Sequence, residues 1–71
     1  MFVEPTLKQD PDNAGCVLGW AVLCPKPWHL FGMYGSKDEA DINATQQGDK
    51  YVVKYGSHCI GTDDFIYVEI S

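Results

Sequence analysis

Small apolar, β-branched and aromatic residues fill the stretch from Cys16 to Cys24 almost without a break, bounded by Gly15 and Pro25. Cys16, Leu18, Trp20, Val22 and Cys24 share one face of an extended chain, and the other face is apolar too, which predicts a central strand. Pro25-Lys26-Pro27 ends it, because neither proline can donate a ladder hydrogen bond. Trp28 to Tyr34 resumes in extended form, so the two segments predict a hairpin. After Gly35 the pattern changes. Ser36-Lys37-Asp38-Glu39 has the spacing of a capping box, Ala40 and Ala44 lie one turn apart, and Gly48 offers a C-terminal cap. A helix of about three turns beginning at Lys37 is predicted. Tyr51 to Tyr55 reads as a third strand, followed by a turn at Gly56-Ser57, a short extended piece from His58 to Ile60 and a second turn at Gly61-Thr62-Asp63-Asp64. Phe65 to Ile70 closes the chain as a strand with Ile66, Val68 and Ile70 on one side.

The segment before this series, residues 1–15, carries two prolines and three carboxylates and reads as an irregular arm with one short strand at Phe2-Val3. The order is therefore β-β-α-β-β. It predicts a single α+β domain over residues 1–71, a small antiparallel sheet of four to five strands with one helix packed on one face. At 71 residues the chain is too short for more than one core, and with 45% hydrophobic residues it has enough apolar material for that one.

The longest nearly apolar run falls far short of the roughly 20 residues of a membrane-spanning helix. The opening Met-Phe-Val-Glu-Pro lacks the basic start and apolar stretch of a secretory signal, which points to the cytoplasm. Three cysteines, an odd number without CxxC spacing, fit free thiols in that compartment.

Candidate chemistry is sparse. Asp10, Asp12 and Gly15 match the start of a calcium loop, but Ala14 and Ala21 stand where ligands are required. His58-Cys59 sets a nucleophile beside a base, yet neighbours on a strand point to opposite faces. Cys16, Cys24, Cys59, His29 and His58 lack the paired close spacings of structural zinc sites, so neither metal nor cofactor is expected. Asp63-Asp64 is a carboxylate pair in a turn, where capping of local amides is its ordinary role. No phosphate loop, serine elbow or zinc-helix motif is present, and the chain reads as a non-enzymatic protein.

Charge says more. The net charge is −5 and all five basic residues are lysine, so direct binding of nucleic acid is not expected. The same acidity suits a protein partner with a basic surface. At about 100° per residue, Ala40 and Ala44 face the sheet, and Ile42 projects outward among Asp38, Glu39 and Asp41. That is an apolar anchor with a charged rim. Asp63 and Asp64 add carboxylates from their turn. Aromatic side chains on the sheet face away from the helix, Phe65 and Tyr67 among them, need a cover: the N-terminal arm, a partner or a second copy of the chain.

In size and charge the chain resembles the short acidic accessory proteins of bacteriophages and mobile elements, among them anti-restriction and anti-CRISPR inhibitors. The resemblance covers no motif. It implies an inhibitor that occludes a basic, nucleic-acid-handling site on a host protein. The alternative is a structural or assembly protein that homodimerises through an aromatic sheet face. No membrane partner is expected.

Overall fold

The computed structural model describes residues 2–67. Its strands are β1 (Phe2–Val3), β2 (Lys8–Gln9), β3 (Cys16–Pro25), β4 (Trp28–Tyr34), β5 (Val52–Cys59) and β6 (Phe65–Tyr67), with the helix α1 (Lys37–Gln47) between β4 and β5. They form one mixed sheet in the order β1-β4-β3-β5-β6, and β2 lies beside the first half of β3. The class is α+β with one helix, as the pattern predicts. The strand count and the purely antiparallel sheet are corrected: the described residues form six strands, and β1 runs parallel to β4 with Phe2 opposite Gly32 and Val3 opposite Met33. The arm is thus not irregular throughout. Its two strands have two residues each, too few to show an alternating pattern, and they exist only because β3 and β4 offer edges to pair with.

β3 is central, as its two apolar faces require. One edge pairs antiparallel with β4, from Trp20–Tyr34 to Pro25–Trp28, and the other pairs antiparallel with β5, from Cys16–Cys59 to Leu23–Val52. β4 and β5 therefore run parallel to each other on either side of β3, and α1 carries the chain across it. Ser36 accepts a hydrogen bond from the Glu39 amide (3.2 Å), and Gly48, with φ 115°, donates its amide to the Ala44 carbonyl (3.2 Å). The positive φ is what a glycine supplies at this stop. Ala40 and Ala44 are the buried residues of the helix, packed on Val22 and Tyr34 with Phe31, Tyr51 and Val53 around them. Side chains this small let the helix sit close to the sheet.

The pairing of β3 with β4 shifts register between Val22 and Leu23, so that Gly32 faces Val22 and Leu30 faces Leu23. Phe31 is the extra residue, and it turns toward the helix. Leu30 and Met33 fall on the other face and form a second core with Ala21 and Leu23. Val3 and Leu7 from the arm and Phe65 from β6 pack against it. The indole Nε1 of Trp28 donates to the Asp63 carbonyl (3.1 Å), tying the hairpin tip to the loop before β6. The arm and β6 thus pack over this core.

Three further expectations change. The turn at Gly56-Ser57 is absent, since β5 runs unbroken from Val52 to Cys59. Gly56 serves close approach instead: a Cβ there would collide with the Ile66 carbonyl and come within 2.9 Å of the Tyr67 Cα. Second, Ile66 lies on the helix side of the sheet, paired with Ser57, but the helix does not cover it and it stands 64% exposed; Val68 and Ile70 lie outside the described residues. Third, Cys16 and Cys59 are joined in a disulfide and only Cys24 is free. Spacing along the chain could not reveal a pair 43 residues apart that register places directly opposite. A disulfide suits oxidising surroundings, so the cysteines no longer argue for the cytoplasm.

Candidate functional site

The outward side of α1 carries four of the six residues singled out from the sequence. Asp38 and Glu39 are exposed, and Ile42 is 59% exposed between them and the rest of the helix. Asp41 is half-buried and pairs with Lys37 at 2.8 Å across one helical turn. The contact holds the Lys37 ammonium above its ordinary pKa, chiefly through the Asp41 hydrogen bond. Both partners are open to solvent, so the pair adds little stability. It does neutralise the one lysine of the helix and leaves Asp38 and Glu39 to set its outward charge. Glu39 also reaches inward electrostatically: burial pushes the Tyr34 phenol above its usual range, and the Glu39 carboxylate adds to that. A groove of about 570 Å3 runs along the helix and the start of β5, lined by Asp41, Thr45, Asp49, Tyr51 and Val53.

Asp63 and Asp64 belong elsewhere. Their carboxylates are exposed, but their carbonyls are engaged, Asp63 with the Trp28 indole and Asp64 with the Nδ1–H of His58 (2.8 Å). Thr62 fixes the loop further by donating to the Cys59 carbonyl (2.8 Å) and accepting from the Asp64 amide (3.1 Å). His58 points to the face away from the helix, since register sets it beside Phe65. The six residues therefore fall in two separate places, the outward side of α1 and the loop before β6.

His58 is fully buried. A carbonyl can only accept, so the proton is on Nδ1, and Nε2 is a buried acceptor without a partner among the described residues. Cys59 is in the disulfide and cannot serve as its nucleophile. His29 contacts the Tyr51 hydroxyl at 2.6 Å, and the Cys24 thiol donates to the Lys26 carbonyl at 3.6 Å. The residues that the sequence offers as metal ligands are dispersed among these separate local roles.

A third region lies in the stretch the sequence offers only as part of the irregular arm and as an incomplete calcium loop. Asp10-Pro11-Asp12-Asn13 folds over the end of the sheet, with the Asp10 carboxylate accepting from the Asp12 amide and the Asn13 side chain, both at 2.9 Å. These bonds, Asn13 first, hold its pKa below the ordinary carboxylate value, and the nearby Ser57 hydroxyl contributes. Between this turn and the strands is a cavity of about 430 Å3 walled by Leu18, Tyr55 and Ile66. The turn's carboxylates are visible in the sequence; β5 and β6, which it meets beside the nearby β3, are 40 or more residues away and are not.

The site lies on a small α+β domain in which one helix crosses a six-stranded mixed sheet. No described helix is long and apolar enough to cross a membrane. No protein-family model, curated protein or solved structure matches the chain.

Proposed function

We propose that the protein is a non-enzymatic binding module that engages a basic surface on a protein partner through the outward side of α1. Ile42 carries this reading. A large aliphatic side chain is held in solvent by a helix whose inward positions are fixed by Ala40 and Ala44, and Asp38 and Glu39 rim it. Burying such an anchor would supply affinity, and the rim would steer encounter with positive charge. Excess negative charge also disfavours nucleic acid as the direct ligand. The fuller form of the proposal is an inhibitor that occupies a nucleic-acid-handling site on another protein, as anti-restriction and anti-CRISPR proteins do.

Affinity capture with the unmodified protein and with Ile42→Ala and Asp38→Lys/Glu39→Lys variants tests it. Support is a protein retained by the unmodified chain, released by salt, and lost on charge reversal. Capture indifferent to both variants refutes the reading. A second reading is favoured by Tyr55 and Ile66, 50% and 64% exposed on neighbouring strands: homodimerisation through that face, in a structural or assembly role. Sedimentation equilibrium separates the two, because a dimer dissociated by Ile66→Asp supports only the second.

A further inference from the structure

We infer that His58 is a pH-sensitive latch: the neutral ring holds the loop of residues 60–64 and the edge strand β6 closed, and protonation of the ring releases them. This latch is separate from the surface on α1. His58 is 0% exposed and faces away from the helix, with Val17 of β3 and Phe65 of β6 as its register partners. Its Nδ1–H donates to the Asp64 carbonyl at 2.8 Å, and Nε2 is shut away from solvent with no acceptor or donor partner among the described residues. One nitrogen thus fastens the loop while the other has room for nothing but a lone pair.

An imidazolium carries a proton on both nitrogens. Charged in place, His58 would bury an N–H without an acceptor and a positive charge without a counterion. The groups around it do not remove that cost. From the loop, Asp63 and Asp64 have exposed side chains, and it is their carbonyls that make the contacts. On β3 the neighbour is Val17, which pairs in turn with Gln9 of β2, and on β6 it is Phe65. Further along the same face the Lys54 ammonium stands over the Tyr67 ring at 5.5 Å, a charge of the wrong sign for an imidazolium. The carboxylates of α1 are on the opposite side of the sheet.

What moves is fixed by the attachments on either side of the ring. Cys59, next to His58, is bonded to Cys16, so this end of β5 stays on β3. The loop is held by lighter means: the Asp64 carbonyl on His58, the Asp63 carbonyl on Trp28 and Thr62 on the Cys59 carbonyl. β6 pairs only with β5, through three residues. Elements with so few contacts open at less cost than the whole fold. Opening wets the ring, and the wetted ring takes its proton at the ordinary imidazole value. Because the open form binds the extra proton, closure is complete above that value and is lost as pH falls below it, with the open population rising about tenfold per pH unit. Release would lift Phe65 from the core formed by Ala21, Leu23, Leu30 and Met33 and bare an apolar patch in acid.

The test is amide hydrogen exchange of the 15N-labelled protein from about pH 8 to about pH 5, corrected for intrinsic exchange rates, with the ring nitrogens of His58 followed by NMR. Protection of the Thr62, Asp64 and Phe65–Tyr67 amides should fall about tenfold per pH unit below the ordinary imidazole value, and the ring should protonate only as that protection is lost. Amides from Trp20 to Leu23 should keep theirs. In His58→Asn, whose side-chain amide can donate to the Asp64 carbonyl but takes up no proton, loop protection should not vary with pH over this range. Should that variant not fold, the ring titration and the exchange of the unmodified protein decide between them. A ring that protonates while the loop stays protected overturns the latch, since the second proton then has an acceptor in the closed form. Protection unchanged down to about pH 5 overturns it as well. So does an equal pH dependence in His58→Asn, which would assign the opening to carboxylates, and so does simultaneous loss of protection throughout β3, which would be global unfolding.

Discussion

On the side of the sheet away from α1, Ala21, Leu23, Leu30 and Met33 are closed over by Val3, Leu7 and Phe65 and by the tie from Trp28 to Asp63, whereas on the helix side Tyr55 and Ile66 stand in solvent. The contrast follows from lengths. An eleven-residue helix is about 16 Å long, and the ten-residue β3 beneath it runs about 33 Å. Alanines at the contact bring the helix close but give it no lateral reach. The uncovered half is where the cavity lies, walled by the Asp10–Asn13 turn. The opposite side needs no such reach, since a pliant arm can follow the sheet. One side is thus largely packed over by the chain itself, with Trp28 and Val52 still partly exposed, and the other is left with apolar surface and carboxylates together, the combination expected of a surface that meets a partner.

This contrast can be broken by removing volume on each side in turn. Leu23→Ala, in the sealed core, should destabilise by about 2–5 kcal/mol in denaturant unfolding. A loss under 1 kcal/mol would mean that the core is loosely packed. Replacing both Cys16 and Cys59 by alanine releases a loop that spans 43 residues and should cost about 2–4 kcal/mol, with a matching fall in midpoint when the unmodified protein is reduced. If reduction leaves the midpoint unchanged, the bond does not bear on the fold.

Ser36→Ala should cost about 1 kcal/mol through the lost helix cap. Ile42→Ala and Ile66→Ala, by contrast, should change stability by no more than about 0.5 kcal/mol, as substitutions on open surface do. A melting temperature lowered by several degrees for Ile42→Ala would put that side chain in a core and end the helix-based reading. The smallest effect concerns pH. The folded pKa of Asp10 is below 3.8, so its contribution is present above that value and is lost as pH falls through the folded pKa. Asp10→Asn should flatten the acid limb of the stability curve, and an unaltered limb would show that the turn does not couple to folding.

The central strand, the hairpin, the helix with both caps and the inward placement of Ala40 and Ala44 were legible in the sequence because each rests on residues within a turn or a pleat of one another. Ile42 was legible as an outward residue for the same reason. What tertiary structure alone decided is everything that depends on register between distant segments. It set Cys16 against Cys59, turned Phe31 to the helix by a one-residue shift, and made strands of Phe2–Val3 and Lys8–Gln9 by giving them edges. It also read Gly56 differently. A glycine beside a serine has the local signature of a turn, and only the approach of β6 shows that the missing side chain makes room for a neighbouring backbone. The cavity belongs to the same group: Asp10, Leu18, Ser57 and Ile66 share no local pattern, and their meeting is fixed by hydrogen-bond registers that no single segment encodes.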